Sequence, residues 1–385
     1  MTRTHSPRDR RGFALALSLV AIVVIGAMVA GGYLAGVQEF RLGRNSLVQQ
    51  RALAATELGL DTTYALWNKT WNSTKTGTTT VLAYTATDNS WVDTVRITKL
   101  NQLSFLVVSE GYAGSQASQI GARRRAAMLI RLNMPKVNQI GALTTRGNVV
   151  ISGSTMINGT DTLLAGWDCP TLAPPVAGVA VPSLSNLNWG GKCPKGSCVI
   201  GSPSVSITAA AGDTNTYFTY GSLTWAMLVA QADKMASGTL THVRPSTIGS
   251  PTGPCNTIDN LNWGDPMRAA PSGGCEGYFP VIYAPGDVTI NGDYGQGILL
   301  VGGNLSIQGG FTYYGQIIAR GTVKLTGSDN HVYGGIMAAN VIDSTDASKL
   351  SGNSGIHYSR CALNTVFTTM SLGRRAPQRS WIELF

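Results

Sequence analysis

Charge is scarce in this sequence. Asp, Glu, Lys and Arg make up only 13% of the 385 residues, and none of them lies between Gly12 and Gln38. That gap excludes a solvated surface segment over residues 13–37, because so long an uncharged apolar run needs a lipid or protein interior. Proline is absent from Gly12 to Met134, so no pyrrolidine ring interrupts a helix there. Cysteine is absent before Cys169, and the six cysteines contain no CxxC pair, which removes the usual zinc-site spacing. HExxH, GxSxG and GxxxxGK(S/T) are all missing. The formal charge is +9, but Arg3, Arg8, Arg10 and Arg11 sit ahead of the apolar run. Beyond it only Arg123–Arg125 and Arg374–Arg375 cluster. With no basic stripe interleaved with aromatics, nucleic acid is excluded as a partner.

The apolar run is long enough to cross a bilayer as a helix, and the arginines before it set its N-terminal end on the cytoplasmic side. A secretion signal cut near Ala30-Gly31-Gly32, a permanent anchor and a working helix all fit this stretch. The third accounts for more, because the pattern continues past the membrane. Val37, Phe40, Leu47, Ala54 and Leu58 follow at spacings of 3, 7, 7 and 4, which puts them on one helical face. One helix is therefore expected over 13–66, apolar all round in its transmembrane part (13–37) and amphipathic afterwards. Its packing face, those five residues, needs a partner surface.

From 67 to 135 the period changes to two. TTTVLAYT (78–85), SWVDTVRITKL (90–100), LSFLVVSEGYA (103–113) and RRRAAMLIRLNM (123–134) read as strands. Val92, Thr94, Arg96 and Thr98 share one face, with Asp93, Val95, Ile97 and Lys99 opposite. A small antiparallel sheet laid on the second half of the helix is the expected arrangement.

A repeat follows. GDVTING (286–292), GNLSIQG (303–309) and GTVKLTG (321–327) start 17 and 18 residues apart, with GILLV, GQIIA and GGIMA between and after them. Short β-branched strands bounded by glycine at this period indicate a solenoid, read as a right-handed parallel β-helix. GNVVISG (147–153) is an earlier copy. The expected layout is a first rung over 136–163, an insertion over 164–278 rich in Cys, Pro and Gly, further rungs over 279–345, and a closing segment over 346–385. Within the insertion, 222–236 reads as a helix capped by Ser222, and that helix with Trp189 and Trp263 is expected to cover the solenoid. The fold class is thus mainly β with a long N-terminal α-helix, a small antiparallel sheet and a parallel β-helix-like domain carrying an insertion.

The even count of Cys169, Cys193, Cys198, Cys255, Cys275 and Cys361 favours disulfides over a metal. Cys193 with Cys198 and Cys255 with Cys275 are candidate pairs, and the spacing does not fix the connectivity. Asp287, Asp293, Lys324, Asp329 and Asp343 are the candidate catalytic groups of the solenoid. In rung alignment Asp287 falls on Asn304 and Thr322, and no carboxylate stacks on another, so no catalytic residue, no cofactor and no metal site is assigned. His242, His331 and His357 are separate in sequence. The turns near 287–293 and 329–330 lack the acidic spacing of a calcium loop.

RRGFALALSLVAIVVIG resembles the class III signal of type IV pilins. NSLVQQRALAATELGL (45–60), ALTTRGNVVISGS, VAGVAVPS, LTWAMLVAQAD, the glycine-rich repeat and RRAPQRSWIELF occur in the order of PilX-type pilus assembly proteins, so the resemblance covers nearly the whole chain. It implies a basic leader over 1–12, cleavage between Gly12 and Phe13 by a prepilin peptidase, methylation of the Phe13 amine, and packing of the helix with other pilins. It also implies residence in the inner membrane and then in an extracellular filament, with the solenoid displayed outside toward a surface or carbohydrate ligand. Major pilins carry Glu at the fifth mature position, where this chain has Leu17, and the resemblance is accordingly to a minor, non-enzymatic pilin. A β-helix adhesin unrelated to pili and a polysaccharide-acting β-helix enzyme are the other expectations.

Overall fold

A computed structural model describes residues 13–87, 89–115, 120–167, 169, 172–193, 197–267, 274–343, 345–375 and 381–384. Helix α1 (Phe13–Ala65) is continuous over 53 residues, or about 80 Å at 1.5 Å per residue. It is the long helix expected from the absence of proline. From Ala14 to Arg51 it is exposed on every side except at Val37 and Val48. Only its last third packs on protein.

That third lies on an antiparallel sheet of strands β1 (Thr79–Thr85), β2 (Trp91–Asn101), β3 (Ser104–Ser115) and β4 (Ile120–Asn133), paired in that order. The alternation read from the sequence holds in β2, where Asp93, Val95, Ile97 and Lys99 are buried. Leu60 joins Val95, Ile97, Phe105, Val107, Met128 and Ile130 in the core beneath the helix.

The rest of the chain folds into a parallel β-helix with three short strands per turn. Val288, Leu305 and Val323 stack in register at the spacings seen in the sequence. On a second face Ile298 pairs with Gln316 and Ile317 with Ile336. Tyr314, Tyr333 and His357 align on the third. The turn into each rung is tied to the next through side chains. Asn304 N–H donates to Asp287 Oδ1 (2.7 Å), and Thr322 N–H donates to Asn304 Oδ1 (2.8 Å). At the corner between the third and the second face, Gly297, Gly315 and Gly334 have φ of 120°, 138° and 141°. A Cβ on any of them would lie 2.0–2.1 Å from a carbonyl oxygen of the preceding rung, which restricts this corner to glycine.

The order of the rungs differs from the expectation. Residues 141–158 do not precede the rungs of the later repeat; they stack on the far side of them, with Leu143 beside Ile336, Asn148 beside Ala347 and Met156 beside Gly355. The segment 164–278 is not a simple insertion either. Ala177–Val181, Leu187–Trp189, Val199–Ile200 and Val205–Ile207 extend the stack at that end. Lys234–Met235 and Gly238–Val243 begin it at the other end. Residues 208–233 run back between the two ends, about seven strand spacings or roughly 34 Å apart. The helix expected over 222–236 is reduced to the short turn Trp225–Val229, because the chain must enter a strand at Lys234; helical turns Ala209–Gly212 and Asn215–Phe218 precede it in the return. Thr224 caps it, while Ser222 Oγ accepts from Asn133 Nδ2. Trp225 meets Tyr283 edge-on at 6.4 Å, so the return covers an outer face of the solenoid. Trp263 is wholly buried, edge-on to Phe311 and Tyr313.

The chain therefore enters and leaves the solenoid in its middle. From Tyr358 it forms helix Arg360–Met370, and strands Leu372–Arg375 and Trp381–Leu384 return to pair with β4. Asn72 ties the parts together: its Nδ2 donates to Thr369 O and Ser371 O, and its Oδ1 accepts from Trp67 Nε1. Cys193 is bonded to Cys198 and Cys255 to Cys275, both short-range. Cys169 is bonded to Cys361, which fastens the segment after the first-expected rung to the C-terminal helix.

Candidate functional site on the helix and solenoid surfaces

Gly12 lies outside the described residues, and Phe13 is the first residue of α1. Val37, Phe40, Leu47, Ala54 and Leu58 do not form the face that meets the sheet. Phe40 is 72% exposed, Leu47 and Leu58 each 49%, and Ala54 is exposed as well. The buried face is Ala52, Ala55, Thr56, Gly59, Leu60 and Thr63. Small residues decide this, because the sheet approaches too closely for large ones. A Cβ on Gly111 would lie 2.4 Å from Ala52 O, and a Cβ on Gly59 would lie 1.6 Å from Asp93 Oδ2. The more apolar stripe chosen by periodicity is left facing outward.

Asp93 is the unusual group under the helix. It is fully buried, and its Oδ2 has no hydrogen-bond partner. Ser109 Oγ lies 2.7 Å from Asp93 Oδ1 and 2.8 Å from Thr56 O. One hydroxyl proton serves only one of these acceptors, so a protonated Asp93 completes the chain by donating to Ser109. Burial pushes the Asp93 carboxyl up to about 6, outweighing the hydrogen bonds from Ser109 and the Thr94 backbone. Lys99 is also buried, and its Nζ donates to Asn72 O and Thr74 O.

The helix is long and apolar enough to cross a membrane by length and composition, with a mean hydropathy of 2.6 over its most apolar window.

On the solenoid the candidate carboxylates do not meet. Asp287 holds the Asn304 amide, and Asp293 Oδ2 is 3.8 Å from His242 Nδ1. Lys324 pairs with Asp346 at 3.0 Å, and Asp329 accepts from Asn353 Nδ2. Asp343 accepts from the Thr345 hydroxyl and amide, which hold its carboxyl below the usual range. Among the described residues no three of His, Cys, Asp and Glu gather to hold a metal.

What the third face does assemble is a row of flat rings. Trp167 stacks on Tyr314 at 5.9 Å, Tyr314 on Tyr333 at 4.8 Å, and Tyr333 on His357 at 4.9 Å. His331 lies beside it, 5.8 Å from His357 between ring centroids. Burial, and then the neighbouring His331, lower the His357 pKa, which favours the neutral imidazole. The rung register alone makes this row, since Tyr314, Tyr333 and His357 are 19 and 24 residues apart. Aligning the repeat beyond Gly327 would have revealed it.

The architecture is a long-helix protein with a β-solenoid head. No protein-family model matches the chain, and no curated protein matches its sequence. Among solved structures, the chain is similar to that of the competence-associated pilin ComZ from Thermus thermophilus, at 12% identity over 88% of this chain and 97% of that one, with a TM-score of 0.27. A TM-score so low gives the likeness no bearing on fold or function.

Proposed function

We propose that this chain is a type IV pilin-like structural protein, a minor pilin or pilus-assembly component of the PilX kind. In this reading it sits in the inner membrane through 13–37 and then enters or primes an extracellular filament. The observation that carries the reading is the division of α1: one unbroken helix whose first two thirds are exposed on nearly every side and whose last third holds the head. A signal peptide would not need to continue into the fold, whereas a filament helix must. Val37, Phe40, Leu47, Ala54 and Leu58 then face other pilins rather than the chain's own sheet. The role is non-catalytic, in keeping with the dispersed carboxylates.

N-terminal sequencing with intact mass of the protein from its native envelope tests this. A chain beginning at methylated Phe13 is expected, produced by prepilin peptidase cleavage after Gly12. A chain that begins near Tyr33, or that keeps residues 1–12, overturns the pilin reading in favour of a secreted or anchored adhesin.

A further inference from the structure

Gly355 leaves a gap in the outward-pointing row of the third face. His331 is its register partner on one neighbouring rung, and Met156 is its partner on the other. His357 stands two residues along the same strand. All four positions point outward, because Val332, Ile356 and Ile157 between them are fully buried in the core. The two imidazoles lean over the gap. A Cβ built on Gly355 would lie 2.5 Å from His357 Nε2 and 2.6 Å from His331 Nδ1. His331 Nδ1 is buried and has no hydrogen-bond partner among the described residues. Met156 is 46% exposed, a large thioether side chain beside the same gap.

Both ring nitrogens flank the Gly355 backbone, and an ion held just outside it would satisfy both, whereas a shared proton would satisfy both only by a direct hydrogen bond between the rings. Metal–imidazole bonds are about 2.0–2.1 Å long, so a small rotation of each ring suffices to reach a common ion. Imidazole suits copper, zinc and nickel, while a thioether is soft and selects monovalent copper. Among the described residues no carboxylate joins the group, which argues against calcium and magnesium. We propose that the gap above Gly355 is a binding site for Cu(I), ligated by His331 Nδ1, His357 Nε2 and Met156 Sδ. This is independent of the pilin reading, since it concerns only the solenoid.

The test is titration of the full chain in detergent, anaerobically with ascorbate, using Cu(I) against a chromophoric Cu(I) chelator. One Cu(I) per chain is expected, with X-ray absorption showing two nitrogen neighbours and one sulfur. His331→Ala and His357→Ala should each weaken binding about 100-fold, and Met156→Leu about tenfold for Cu(I) with little change for Zn(II). Gly355→Ala keeps every ligand but places a methyl group between the two nitrogens, and should also weaken binding at least about tenfold. It remains informative if a histidine variant misfolds. Absence of stoichiometric Cu(I), a copper site without sulfur, or unchanged binding in Gly355→Ala overturns the proposal. So does Zn(II) binding that outcompetes Cu(I); the two rings would then be hydrogen-bonded to each other or serve another ion.

Discussion

The two β-regions of this protein bury different chemistry. The solenoid interior is built from stacked Ile, Leu and Val, such as Ile298, Leu299, Ile317 and Ile336, each completely enclosed. The sheet under α1 buries Asp93 and Lys99 beside Val95 and Ile97. A repeated rung can place like on like, so the core of the repeat fills with branched apolar side chains, while Lys234, Asp265, Gln296 and Gln316 are buried elsewhere in the same region. A single helix crossing a sheet meets each residue once, and close approach there depends on Gly59, Gly111 and Ala52. The rung core around Ile317 should resist changes of solution conditions, and the sheet around Asp93 should respond to them.

The largest expected effect belongs to the long-range bond that fastens the C-terminal helix to the solenoid. Cys169 and Cys361 are 192 residues apart, against 5 for Cys193 and Cys198. In the chain-entropy view, replacing the first pair with serine should cost about 5 kcal/mol and replacing the second about 2 kcal/mol. Denaturant unfolding of both double variants checks the order.

Next comes the solenoid core. Ile317→Ala should cost about 2–5 kcal/mol, because the rungs on either side hold their spacing and leave a cavity. Measured by denaturant unfolding, that loss should be the same at pH 4.5 and pH 7.5.

Asp93 should break that constancy in the other region. Its folded pKa of about 6 lies above the ordinary aspartate value of 3.8. The neutral form is therefore favoured in the fold. Its contribution is fully present below about pH 3.8 and is lost as the pH rises through 6, by at most about 3 kcal/mol. Hydrogen exchange of the β2 and β3 amides should quicken over that window, and Asp93→Asn should abolish the dependence. A flat profile in the parent protein would show that the carboxyl finds a partner when ionised.

The smallest effect sharpens the division of α1. Leu58→Ala should change stability by less than about 0.5 kcal/mol, because the side chain faces outward. A loss above about 1 kcal/mol would mean the sheet covers this face after all.

Much of this was legible in the sequence, though unevenly. The uncharged, proline-free opening predicted α1 to within a residue, and alternation in SWVDTVRITKL separated the buried from the exposed side of β2. The stripe Val37, Phe40, Leu47, Ala54 and Leu58 misled because apolar periodicity measures greasiness, while the sheet selected Ala52, Thr56 and Gly59 for their small size. Trp225–Val229 was read as a longer helix because local propensity does not know that Lys234 must enter a strand.

By itself, the sequence determined what short-range periodicity can carry: the helix, the strand faces, the 17- and 18-residue steps between rungs and the glycine corners. Tertiary structure alone decided the stacking order of the rungs, the Cys169–Cys361 bond and the meeting of Met156, His331 and His357 around Gly355. The physical reason is that parallel rungs present the same backbone edge to one another. Any rung can dock on any other by hydrogen bonding, so position along the chain does not determine position in the stack, and only side-chain fit across the completed solenoid settles which edges meet.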